Sequence, residues 1–319
     1  MSLLQALQII IPTALFVAAP LILTALGGVF SEKSGVVNIG LEGLMVVGAF
    51  TGIVFNLSFA ETFGTLTPWL SLLAAMIASA LFSVLHAVAT ITFRADQVVS
   101  GVAINFLALG LTLFLVKNIY DKGQTDRIQE SFDIIDIPLL SKIPVIGPLF
   151  FSNGYITSYI AILLSVLVWY VIYKTPFGLR LRAVGEHPMA ADTMGINVTK
   201  MRYIGVILSG ALAGIGGSIY ATIISRDFSH ATISGQGFMA LAAMIFGKWH
   251  PLGAMGAALF FGLAQGISIV GGSIPFLKDI PEVYLLITPY VLTILALTGF
   301  IGRADAPKAL GTPYIKGKR

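Results

Sequence analysis

Long apolar stretches free of acidic and basic side chains alternate with short charged segments along the whole chain. Residues 1–31 contain no Asp, Glu, Lys or Arg, and neither do 62–93, 98–116, 143–173, 203–225, 249–277 or 283–302. A helix needs ~20 mainly apolar residues to cross ~30 Å of hydrocarbon. The pattern therefore predicts spans near 4–28, 36–57, 68–92, 98–117, 155–173, 203–224, 252–272 and 284–302. The apolar stretch 237–247 is too short to cross alone and predicts a half-helix. The expected fold class is all-α: a polytopic transmembrane helix bundle with about eight to ten membrane segments, some broken. All of 1–319 is expected to form one transmembrane domain. The first stretch is too long for a signal peptide's apolar region and has no basic leader, so it is expected to stay.

Small residues recur within these stretches at helical spacing. Ser71, Ala75, Ser79, Ser83 and Ala87 form one ridge, and Ala254, Ala258, Gly262 and Gly266 another. Gly210, Gly214 and Ser218 continue the theme. Such ridges let helix backbones approach closely where no water drives them together.

Loop charges predict the orientation. The segment 174–202 holds Lys174, Arg180, Arg182, Lys200 and Arg202 against Glu186 and Asp192. The tail 303–319 is similarly basic. Both are expected on the cytoplasmic side, since Lys and Arg accumulate in cytoplasmic loops. The acidic segment 118–154, with turns fixed by Pro138, Pro144 and Pro148, is expected outside. No basic residue precedes Lys33, so the side of the N-terminus stays open.

Composition agrees with the pattern and removes several function classes. The chain is 56% hydrophobic and only 11% charged, with a mean hydropathy of +0.91. Soluble domains are about a quarter charged. The net charge of +4 is spread over loops and gives no case for nucleic acid. Absence of cysteine removes disulfides, thiolate metal sites and a cysteine nucleophile. The four histidines lack metal-ligand spacing. Gly311 and Gly317 are separated by five residues where a phosphate loop has four, and Arg319 stands where Ser or Thr would hold magnesium. The chain is expected to bind no cofactor and to catalyse nothing.

The segment 185–197 is the most informative loop. Pro188 suits the first position of a helix, Ala190, Ala191 and Met194 favour one, and Gly195 can end it in the left-handed conformation. The result is a stub of about seven residues, ~10 Å long. Alone it would be marginal in water. It makes physical sense as a rigid knob that docks into a partner, with an ordinary inter-span turn as the plainer alternative.

The pattern Glu186-x-x-x-Ala190-Ala191-x-x-x-Gly195-Ile196, followed by Ser209-Gly210-Ala211-Leu212-Ala213-Gly214, resembles the signature of permeases in bacterial ATP-binding-cassette importers. The subgroup it resembles handles branched-chain amino acids, simple sugars and nucleosides. Further similarity lies in Ser34–Gly43, in Phe238–Gly247 with Pro251–Ala254, and in Gln97–Asn105 with Leu107–Gly110. The last of these looks most like the nucleoside branch. One departure is Glu186-His187, where many relatives carry Gly-Asn.

The resemblance implies a pathway subunit for nucleoside uptake in the bacterial inner membrane, with simple sugars or branched-chain amino acids as alternatives. It implies ATPase subunits that bind ATP and magnesium, a second permease, identical or related, and an extracytoplasmic solute-binding protein or lipoprotein. Coupling to the ATPase would fall to Glu186, His187, Pro188, Ala190, Ala191, Met194 and Gly195.

Polar residues inside the apolar stretches are the candidates for the pathway: Asn38, Glu42, Asn105, Gln236 and Gln265. An ionisable group in a span is a functional-site hypothesis by default, although Glu42 could instead cap a broken helix. The amides could meet hydroxyls or base edges, or bridge helices. A stand-alone secondary transporter would need mid-membrane ionisable groups, for which only Glu42 is available. An intramembrane enzyme would need paired carboxylates or a Ser/His grouping that the spans do not offer.

Overall fold

A computed structural model describes residues 3–274 and 306–317, together with Tyr284, Ile287 and Val291. Among the described residues, six helical stretches are long and apolar enough to cross a membrane, and one of them, Leu41–Thr92, is divided into two helices by a turn. The expected span 284–302 lies almost wholly outside them. The chain is a multi-pass membrane protein.

Helix α1 runs Leu3–Lys33 and α2 Leu41–Phe63; a tight turn at Gly64–Leu66 then reverses the chain into α3, Thr67–Ala87. One π-helical turn at Val88–Thr92 extends α3. Helix α4 (Gln97–Tyr120) opens with the Asp96 side chain accepting from Val99 N–H. The segment 121–155 carries a two-stranded antiparallel pair, β1 (Ile134–Ile135) with β2 (Gly154–Tyr155), and the short helix α5 (Ile146–Phe150). Next come α6 (Ile156–Lys174), α7 (Pro176–Glu186), α8 (Pro188–Thr193) and α9 (Val198–Tyr220). The half-helix α10 (Gln236–Phe246) and α11 (Pro251–Val270) follow. Pattern reading did not anticipate α7, because its charges obscured an amphipathic helix whose Leu181 and Val184 are buried.

Helix α9 is the centre of the bundle and packs on α1, α2 and α3 through separate small faces. Gly210 and Gly214 lie against Ser83, Ser79 and Ala75 of α3, while Gly216 lies against Pro20 and Thr24 of α1. Gly48 of α2 sits on the backbone of Gly214, which a β-carbon on Gly48 would strike. Ser79 Oγ donates to Leu44 O at 2.9 Å, tying α3 to α2. Gly262 and Gly266 of α11 meet Ala18 and Ala14 of α1, so these two helices run antiparallel. The small-residue ridges are thus buried seams. The opposite edge of α3 presents Leu73, Ile77, Leu81 and Leu85 outward, and α4 presents Phe106 and Phe114.

These contacts sort the loops onto two ends. At one end Lys33, α7, α8, the start of α9 and the tail meet: Ala309 N–H donates to Gly185 O, and Arg202 Nη1 to Thr312 O. At the other, the segment 121–135 covers the ends of α2 and α9, with Thr125 N–H on Phe228 O and Asn56 Nδ2 on Glu130 O. The basic and acidic segments therefore occupy opposite ends.

Candidate functional site

Two interruptions of helix meet inside the bundle. The first is the non-helical stretch 34–40 between α1 and α2. The expected span over 36–57 begins later than the apolar pattern suggested, at Leu41, because Gly35 (φ +90°) turns the chain out of α1. Backbone released from a helix away from water must find other partners. Here the neighbours supply them. Val37 N–H donates to Gln97 Oε1 at 2.7 Å, and Val37 O lies 3.0 Å from His86 Nε2. Asn105 Nδ2 donates to Ile39 O, and its Oδ1 accepts from Gly43 N–H at 2.7 Å. Asn38 Nδ2 reaches Ser209 Oγ of α9 at 2.9 Å.

The second interruption precedes α10. After α9 and a π-helical turn at Ala221–Ser225, residues 226–235 are irregular until α10 starts. Glu42, in the first turn of α2, places both carboxylate oxygens on this start. Oε1 accepts from Gly235 N–H and Oε2 from Gly237 N–H, each at 2.6 Å. Two helix N-termini thus converge on one carboxylate, the polarity that favours an anion there. Gly237 is needed for the approach, since a β-carbon would strike the Glu42 backbone. The short helix expected near 237–247 is present as α10.

The far end of α10 is also held by a carboxylate. Trp249 Nε1 donates to Glu32 Oε2 at 2.5 Å, with Glu32 only 4% exposed at the end of α1. Glu32 and Glu42 therefore clamp the two ends of one half-helix from either side of the same break. Gln236, between the two capped glycines, has its Oε1 3.4 Å from Gln265 Nε2 of α11.

The predicted pathway residues are accordingly brought to one neighbourhood, with most of their polar atoms engaged by protein. Glu42 is a cap for α10, Asn105 a stitch across the break, and Asn38 a bridge to α9. Among the described residues the amide oxygen of Asn38 has no protein partner. Sequence reasoning missed Glu32, His86, Gln97 and Trp249. A histidine inside the charge-free stretch 62–93 and a glutamine at the border of 98–116 were the available signal. Among the described residues no group of acidic and histidine side chains could hold a metal ion.

The predicted coupling residues form a separate feature at the basic end. Helix α8 is a stub starting at Pro188, and Gly195 closes it at φ +79°. Ala191 is buried and fixes the stub to the body, whereas His187, Ala190, Met194 and Gly195 are exposed. Met194, 81% exposed, is its most prominent apolar tip. Glu186 accepts weakly from Lys308 N–H at 3.4 Å.

Apolar helices, a broken helix inside the bundle and an exposed knob at one end make up a multi-pass membrane protein of the kind that transport subunits share. Residues 10–297 match the family described as the branched-chain amino acid transport system permease component, and the chain belongs to that family. It is 68% identical over 319 residues to the guanosine ABC transporter permease protein NupQ of Bacillus subtilis, covering all of both chains. It is 54% identical over 318 residues to the nucleoside ABC transporter permease protein NupC of Lactococcus lactis, again end to end. A more distant relative is the Bacillus subtilis guanosine ABC transporter permease protein NupP, 27% identical over 82% of this chain and 74% of that protein.

Proposed function

We propose that the chain is the permease subunit of an ATP-binding-cassette importer for nucleosides, with guanosine the leading substrate. The observation that carries this reading is the end-to-end 68% identity to a guanosine permease. The bundle supports it with a broken crossing, since unwound backbone inside a membrane is tolerated only where protein or a cavity covers it.

In this reading the end bearing α7, α8 and the tail faces the cytoplasm of a bacterial inner membrane, as its basic charge favours. The N-terminus then lies outside, because α1 descends to Lys33 at the basic end. The segment 226–247 descends from outside as irregular chain and completes its crossing as α10. ATPase subunits holding ATP and magnesium dock on the α8 stub. A second permease chain, for which the relatives named NupP and NupQ in one organism suggest a related partner, completes the pathway. A solute-binding protein delivers the nucleoside. Nucleotide and nucleoside bias the same two-state opening.

The test is uptake by the complete transporter in vesicles. The reading predicts ATP-dependent accumulation of guanosine, competed by other nucleosides. Accumulation of leucine or ribose with no guanosine uptake would replace nucleosides with another substrate class.

A further inference from the structure

The segment 306–317 is bound as a strap across the basic end of the bundle. Ala309 N–H donates to Gly185 O at 2.9 Å, just before α8, and Gly311 N–H to Gly35 O at 3.3 Å, in the break before α2. Thr312 O accepts at 2.9 Å from Nη1 of Arg202, a guanidinium in a residue only 1% exposed. Pro307 and Ala309 are buried, and Leu310 and Tyr314 pack on the main apolar core. Gly35 leaves the space in which Arg202 and the Ala309 carbonyl fit. Beyond Thr312 the strap and the exit of the stub enclose a cleft of about 660 Å³, lined among others by Asp192, Asn197, Lys200, Tyr314 and Lys316. A second, more apolar cleft of about 600 Å³ lies on the other side of the same turn, between Met194, Ile196 and α7.

We propose that the ATPase dock is composite: the strap 306–317 forms one wall of it, and the ATPase places an acidic side chain in the cleft between Lys200 and Lys316. This rests on the reading of α8 as the docking stub. Two exposed lysines against one aspartate make the cleft attractive to a carboxylate. The apolar cleft beside it suits the Met194 side of the same contact. The strap also touches both Gly185 and Gly35, so displacement of the stub reaches the break that leads to Glu42. An ordinary solvated tail would have no such double anchorage.

The cysteine-free chain makes a direct test available. Lys316→Cys and Met194→Cys are introduced singly, and maleimide labelling is compared for the complete transporter and for the permease alone, both in zwitterionic nanodiscs. Severalfold slower labelling of both in the complete transporter is expected. Protection of Met194→Cys without protection of Lys316→Cys overturns the composite dock and leaves the stub reading standing. Protection of neither overturns both. The permease alone is also labelled in anionic nanodiscs, and protection of Lys316→Cys there, with none added by the ATPase, assigns the lysines to the membrane surface and overturns the proposal. As a second measurement, the double variant Lys200→Glu and Lys316→Glu should retain severalfold less ATPase through purification, and unchanged retention contradicts it.

Discussion

Glu32 and Glu42 stand on either side of the same break and grip the same half-helix, yet they do so with different chemistry. Glu42 accepts from two backbone amides, Gly235 and Gly237, at the start of α10. Glu32 accepts from one side chain, the Trp249 indole, beyond its end. The amides at a helix start have no intrahelical partner and cannot be mutated away. The indole is a single replaceable donor. Glu42 therefore satisfies a need that any sequence for α10 would have, whereas Glu32 and Trp249 are a matched pair. The start of α10 should be the more sensitive end.

The largest effect is expected from Glu42→Ala. Two amide donors lose their acceptors inside the bundle, each at about 1–3 kcal/mol. The thermal unfolding temperature should drop markedly, and proteolysis should open the region 226–250. A variant with wild-type resistance and wild-type nucleoside uptake would remove Glu42 from both structure and pathway. Glu42→Gln should be intermediate, because one oxygen remains while the new amide faces a donor.

Trp249→Phe should be milder. It removes one hydrogen bond to a charged group, worth about 1.5–3 kcal/mol, and leaves the α10 start capped. Unfolding temperatures measured side by side with Glu42→Ala should rank the two, and a reversed order breaks the comparison. Glu32→Gln should be the smallest change, since the amide oxygen still accepts from the indole; about 0.5–1.5 kcal/mol is expected. A collapse of folded protein with this variant would show that the charge itself holds the α1 end.

Sidedness sharpens the same comparison, because it fixes which end of α10 is deep. Gln129→Cys and Thr199→Cys, both at exposed positions, should react with an impermeant thiol reagent from opposite sides of the membrane. Reaction of both from one side would invert or break the topology.

Much of the bundle was legible because lipid forbids charge: the apolar runs mark α1, α3, α4, α6, α9 and α11 within a few residues. The break at 34–40 was less so, since Val36, Val37 and Ile39 continue the apolar pattern while the backbone leaves the helix. The glycines at 35, 40 and 43 nevertheless suggest unwound backbone there, and Gly35, with its positive φ, makes the turn. The α8 stub was readable from Pro188 and Gly195, whose conformational preferences are local. The Glu32–Trp249 and Glu42–Gly237 contacts were not, because partners so distant in sequence leave no periodic trace. Glu42 was conspicuous as a charge in an apolar run, but its partners are backbone groups, which every residue carries. Glu32 was hidden by its place at the border of a charge-free stretch.

Hydrogen exchange at the α10 start, followed by mass spectrometry on the assembled transporter, tests the central claim most directly. In the wild-type chain the Gly235 and Gly237 amides should be strongly protected. Protection there should be lost in Glu42→Ala and retained in Trp249→Phe. Fast exchange of these amides in the wild-type chain, or protection indifferent to Glu42, would contradict the claim that this carboxylate anchors the broken crossing.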